Sequence, residues 1–146
     1  MGILEDKNTL KEYMLKEISL IQDIIKRMAS NSFMIKGWAV TLIVATLLLK
    51  GNKHQVLIAF IPLLVFWFLD AYFLWQERLY GKLYDWVVAN RLKTDELLFS
   101  MNAYRFKNEV QSILKVMFSI TLRWFYGSLA ILTLAYTIYL FSQRGA

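Results

Sequence analysis

The sequence predicts an all-α integral membrane protein with three transmembrane helices, an amphipathic N-terminal helix and a helical cytoplasmic loop. Three observations predict it. The 146 residues are 58% hydrophobic and only 19% charged, against about 25% charged in ordinary soluble domains. The apolar residues gather into three long runs, and the charges gather between them. Fourteen of the seventeen lysines and arginines fall on one side of the topology those runs define.

The first element, residues 1–32, carries Leu10, Met14, Ile18, Ile21, Ile25 and Met28 at spacings of three, four and seven, one apolar stripe of a helix. Glu12 with Lys16 and Asp23 with Arg27 add acid-before-base pairs at i, i+4. Two uses fit such a helix: lying on the inner leaflet with its lysines at the headgroups, or packing against a partner helix. The charged, mixed first thirty residues do not have the pattern of a cleavable signal peptide.

The second element is a hairpin of two runs, 33–49 and 56–75, interrupted only by Lys36 and Asp70. With a third run, Trp124 to Phe141, they span about 26, 30 and 27 Å at 1.5 Å per residue, close to the roughly 30 Å of a hydrocarbon core. Backbone groups find no water in lipid, so each run is helical. A soluble bundle is the competing reading, but nothing outside the runs covers so much apolar surface. Pro62 is expected to kink the second helix by freeing a carbonyl one turn back.

Residues 76–115 form the cytoplasmic loop. Leu79, Leu83 and Val87 continue a helical stripe past Gly81, residues 93–104 break it, and Val110 to Lys115 lead helically into the third transmembrane helix, 116–141, with a short external tail, 142–146. The positive-inside rule places the N-terminus and this loop in the cytoplasm and the C-terminus outside, as in a multi-pass bacterial inner-membrane protein. Lys50, Lys53 and Arg144 are the three basic residues on the far side.

Little suggests catalysis, and no enzyme or cofactor is expected. His54 stands alone, without a second histidine or any cysteine to share a metal. Glu77 and Asp85 fit a solvated helix face better than an acid–base pair, which needs a water-poor cleft. The basic cytoplasmic residues interleave with aromatics, a pattern seen in nucleic-acid binding, but topology and anionic lipid explain them more simply.

The embedded charges are more informative. Lys36 lies about sixteen residues before the Gly51-Asn52 turn and Asp70 about eighteen after it, so antiparallel helices bring them to similar depth. Arg123, seven residues past an entry near Val116, reaches the same level on the third helix. A Lys36–Asp70–Arg123 cluster near the inner interface is therefore expected, since a lone aspartate in hydrocarbon costs about 2.5–3.5 kcal/mol at the centre. In the simplest version Lys36 and Arg123 snorkel and Asp70 sets helix register; an ion or proton path is the alternative. Gly37, Thr41 and Ala45 make a small-residue face at i, i+4, and Gly127 with Ala130 and Thr137 a weaker one. These faces permit a homo-oligomer. Trp38 and Trp75 fall at inner helix ends, where aromatic belts form.

Two stretches, Arg27-Met-Ala-Ser-Asn-Ser-Phe-Met-Ile-Lys-Gly-Trp38 and Phe66-Trp-Phe-Leu-Asp-Ala-Tyr-Phe-Leu-Trp-Gln-Glu-Arg78, resemble a family of small bacterial three-helix membrane proteins. Its pattern is an N-S-F-x-x-K-G-W entry and an F-W-x-L-D-A-Y-x-L-x-Q-E-R exit, and the likeness covers about residues 20 to 141. The resemblance singles out Asn31, Ser32, Lys36, Gly37, Trp38, Asp70, Gln76, Glu77 and Arg78, and implies a setting among mobile or defence-associated genes. After Arg78 this chain reads Leu-Tyr-Gly-Lys-Leu-Tyr, where the family pattern is more basic and lacks the glycine.

The expected function is a self-associating effector that permeabilises or perturbs the membrane on a cytoplasmic signal. A non-pore anchor or scaffold for a cytoplasmic protein partner is the alternative, and a small transporter a third reading.

Overall fold

A computed structural model describes residues 2–48 and 55–143. Among these, all regular structure is helical: α1 (Gly2–Leu48), α2 (Gln55–Ile58), α3 (Phe60–Asn90), a 3-10 turn (Ala103–Phe106), α4 (Ile113–Met117) and α5 (Ile120–Gln143). Three helices, α1, α3 and α5, are long and apolar enough to cross a membrane. The expected features at Leu49, Lys50, Lys53, His54 and Arg144 lie outside the described residues.

Several boundaries differ from the expected ones. The amphipathic segment and the first apolar run are one continuous 47-residue helix, since no glycine or proline separates them before Gly37. The second run is broken at Ala59, between α2 and α3. Pro62 has no N–H to offer the Ile58 carbonyl, so the helix parts one turn before it and the proline sits in the first turn of α3, where it is tolerated. The helix continues past Gly81 as expected, to Asn90. The loop is helical only to that point: residues 91–112 are irregular apart from the 3-10 turn, and 110–112 are not helical. The third helix, expected over 116–141, is likewise interrupted at Phe118 and Ser119, so that α5 starts only at Ile120.

The chain divides into two units, one of Met1–Ser30 with Leu74–Ser112 and one of Asn31–Phe73 with Ile113–Ala146. In the first, Ile21, Leu79, Leu83, Val87, Ala103 and Phe106 form the core, with Met14, Ile18 and Ile25 packed against it. The stripe on α1 and the stripe on α3 thus bury each other, as two amphipathic helices do when each has one apolar face.

Glu17 interrupts that stripe and is 1% exposed. Its partner is Arg91, also 1% exposed, whose Nε donates to Oε2 and whose Nη2 lies 2.9 Å from Oε1. The same pair organises the chain beyond α3. Arg91 Nη1 donates to the carbonyls of Thr94 (3.0 Å) and Glu96 (2.9 Å), and Glu17 Oε1 accepts the Phe99 N–H at 2.7 Å. A five-donor planar guanidinium suits this role, since it can serve a carboxylate and several carbonyls together. Arg105 packs 4.3 Å from the Trp86 ring; burial, and then repulsion from Arg91, lowers its pKa from the ordinary value.

The clamped segment is strained. Leu97 (φ 55°) and Phe99 (φ 56°) adopt left-handed backbone, and both are exposed. Such a conformation costs about 1–2 kcal/mol for each non-glycine residue, so the hydrogen bonds to Glu17 and Arg91 must outweigh it. Glu17→Ala is therefore expected to destabilise the protein by about 3–5 kcal/mol, leaving an unpaired buried guanidinium. Leu97→Gly removes backbone strain and is expected to be neutral or stabilising by about 1 kcal/mol. Thermal unfolding in detergent, with limited proteolysis across residues 94–100, checks both.

Candidate functional site

The second unit contains the embedded charges. Its buried residues include Ala39 and Ile43 on α1, Leu63 and Ala71 on α3, and Leu122, Tyr126, Thr133 and Thr137 on α5. The last two satisfy their hydroxyls within α5, on the carbonyls of Leu129 (2.8 Å) and Thr133 (2.7 Å), a common way to carry a polar group on an apolar helix.

Asp70 has no exposed surface. Lys36 Nζ lies 2.6 Å from Oδ2, and the Ser32 hydroxyl donates to Oδ1 while accepting from Lys36 Nζ at 2.8 Å. Ser32 and Lys36 are one turn apart on α1, so a single helix face presents both donors. The Tyr126 hydroxyl of α5 lies 3.1 Å from Asp70 Oδ2 and 3.2 Å from the Phe66 carbonyl, one proton shared between two acceptors. Tyr126 is held by Trp67, with rings stacked 6.1 Å apart, and Trp67 Nε1 donates to the Met117 carbonyl at 2.9 Å. That carbonyl ends α4, so its usual helical partner is missing at the break before α5.

The carboxylate is therefore paired and hydrogen-bonded from both neighbouring helices, the arrangement a buried charge requires. Lys36 keeps 22% of its side chain exposed, enough for the ammonium to retain some solvation while neutralising Asp70.

The expected third member, Arg123, is not part of this network. It is exposed on α5, and Tyr126 takes the place facing Asp70. Direction separates the two: Arg123 follows buried Leu122 by one position and is turned about 100° from it, whereas Tyr126, four positions on, is turned only about 40°. The signal that marks Tyr126 is its spacing from Leu122, Thr133 and Thr137, by four, seven and eleven, which puts all four on one face.

Other singled-out residues are dispersed. Asn31 is half-buried and Trp38 exposed on α1, and Gly37, Thr41 and Ala45 lie along an exposed face, with the Thr41 hydroxyl donating to the Gly37 carbonyl at 2.9 Å. Gly127 is half-buried on α5. Gln76, Glu77 and Arg78 belong to the first unit and are half-buried; Arg78 Nη1 donates to Gln111 Oε1 at 3.1 Å.

The network predicts an order of effects. Asp70→Ala strands Lys36 and removes three acceptor contacts, for a loss of about 3–5 kcal/mol. Asp70→Asn keeps two hydrogen-bonding atoms and frees Lys36 to extend toward solvent, so it costs less. Tyr126→Phe removes one neutral-to-charged hydrogen bond and costs about 1.5–3 kcal/mol at most. Denaturant unfolding in mixed micelles measures the series; a larger loss for Tyr126→Phe than for Asp70→Ala contradicts it.

Compared with protein-family models, curated proteins and solved structures, the chain matches none.

Proposed function

We propose that this chain is a small bacterial inner-membrane protein of the antiphage-defence type, which self-associates and perturbs the membrane barrier when a cytoplasmic signal reaches its first unit. The observation that carries this reading is the direction of the α1 small-residue face. Ser32, Ala39 and Ile43 face the inside of their unit, whereas Gly37, Thr41 and Ala45 are exposed. A small-residue face that its own bundle does not use is suited to close approach by a helix of a second copy. Membrane residence is supported by surface: of the most apolar stretch in each long helix, only 11%, 17% and 17% is buried. Apolar helices left uncovered to that degree need lipid or another chain around them.

The paired state of Asp70 bears on mechanism. A carboxylate with no exposed surface and three donors is suited to holding helices together, and less to relaying ions, which requires access to water. Permeation in this reading arises between copies, and the Lys36–Asp70 level is the point at which a rearrangement of α1 against α3 would be resisted.

A second reading, a non-pore anchor for a cytoplasmic protein partner, is favoured by Leu97 and Phe99, two exposed apolar side chains held in left-handed backbone. Strain of that kind gathers at functional segments.

Two measurements test the proposal. The chain has no cysteine, so single substitutions report topology: Lys107→Cys is expected to label only from the cytoplasm and Asn52→Cys only from outside. Gly37→Leu then tests assembly, because a Cβ at Gly37 meets nothing within 4 Å in its own chain. The variant is expected to keep its helicity but lose cross-linked oligomers in detergent and depolarisation of induced cells with a potential-sensitive dye. A monomeric wild-type protein that purifies with a soluble partner and never depolarises cells favours the anchor instead.

A further inference from the structure

A groove of about 350 Å³ runs along the outer side of α5, lined by Arg123, Trp124, Gly127, Ser128 and Ile131. Its shape follows from the sequence. Arg123, Gly127 and Ile131 form one i, i+4 ridge and Trp124 with Ser128 the next, and the missing side chain at Gly127 opens a gap in the first ridge. A Cβ at Gly127 meets nothing within 4 Å, so its own chain leaves that gap unfilled. The groove therefore extends over two turns, about 12 Å along the axis.

Its two ends differ in chemistry. Arg123, one turn from the start of α5, is exposed and forms no ion pair with any described residue. Trp124 beside it is 73% exposed, and Ile131 at the other end 69%. The Ser128 hydroxyl donates to the Phe125 carbonyl at 2.8 Å, which leaves its oxygen no isolated polar demand on the groove. One end thus offers a cation and an amphipathic ring, and the remainder is a bare apolar channel.

We propose that this groove is a binding site for one anionic phospholipid, with the phosphate on the Arg123 guanidinium and an acyl chain lying across Gly127 toward Ile131. The proposal rests on α5 spanning a membrane. Guanidinium and phosphate match in charge and in planar, two-point geometry, and an indole beside them suits the headgroup level. A second copy of the chain is the less suitable occupant. Two copies meeting on this face about a two-fold axis would bring Arg123 against its own equivalent, like charges at low dielectric. A lipid phosphate neutralises the arginine, and its tail fills the channel without burying a second charge.

The test uses the full chain in detergent micelles, read by thermal unfolding and native mass spectrometry. Phosphatidylglycerol, phosphatidylcholine of the same acyl chains, and glycerol phosphate are the three probes. Phosphatidylglycerol is expected to raise the Tm and to be retained as a single bound lipid, with phosphatidylcholine weaker and glycerol phosphate without effect. Arg123→Gln should lower apparent affinity for phosphatidylglycerol about tenfold, the loss of one charge-assisted contact. Gly127→Leu should abolish retention while helicity is unchanged, since leucine propagates helix better than glycine. Equal responses to the two lipids with no effect of Arg123→Gln overturn the headgroup contact. Full retention in Gly127→Leu, or the same Tm shift from glycerol phosphate alone, overturns the acyl channel. Loss of oligomers in Gly127→Leu with unchanged lipid response assigns the groove to a second copy and overturns the site. Carbonate extraction separates the underlying reading: a chain released as soluble sinks the proposed function and this site together, whereas an integral chain indifferent to headgroup charge sinks only the site.

Discussion

An aspartate removed from water must find donors to replace the hydration it loses, and in this chain those donors come from two other helices. Asp70 on α3 takes Ser32 and Lys36 from α1 and Tyr126 from α5. Helices with only apolar faces slide and rotate against one another at small cost, because one leucine contact resembles the next. A carboxylate that needs three donors admits one rotation and one depth for each helix. Tyr126 in turn is seated by Trp67, whose indole reaches the carbonyl left open where α4 stops. The break before α5 and the buried charge on α3 are thus parts of one arrangement.

The first unit uses the same device in a different setting. Glu17 is placed on an otherwise apolar stripe, where an unpaired carboxylate would be severely destabilising, and Arg91 meets it from the end of α3. The guanidinium has donors left over, and the chain after α3 folds around them. Buried pairs of this type contribute more to orientation than to net stability, since desolvation offsets much of their attraction. What the pair sets is the course of residues 94–99, including two left-handed residues that such bulky side chains would otherwise avoid.

In the proposed reading, the interior of the second unit is occupied by a closed polar network, and the interaction surfaces lie outside it, on the Gly37 face of α1 and in the Gly127 groove of α5. Both are gaps left by glycine, and they differ in charge. The α1 face carries no charged residue at Gly37, Thr41 or Ala45 and tolerates a like neighbour, while the α5 groove starts at an arginine and favours an anion. The division between a surface for copies and a surface for lipid follows from that one difference.

Three long apolar helices, the apolar stripes of α1 and α3, and the pairing of Lys36 with Asp70 are legible in the amino-acid sequence; what covers the stripes is not. Each is a matter of periodicity or of counting residues from a turn, and the 1.5 Å rise makes depth additive along a helix. Signals at Glu17 and Tyr126 were also present, a carboxylate on an apolar stripe and hydroxyl residues sharing one face, but neither names its partner. Packing in three dimensions is what brings Arg91, 74 positions away, onto Glu17, turns Tyr126 rather than Arg123 toward Asp70, and leaves residues 110–112 irregular where a helix was expected. The difference is angular. Arg123 and Tyr126 lie three positions apart, about 60° around the helix and about 4.5 Å along it, so which of them points inward depends on how the helices are rotated against each other. That rotation is set by pairings between distant parts of the chain.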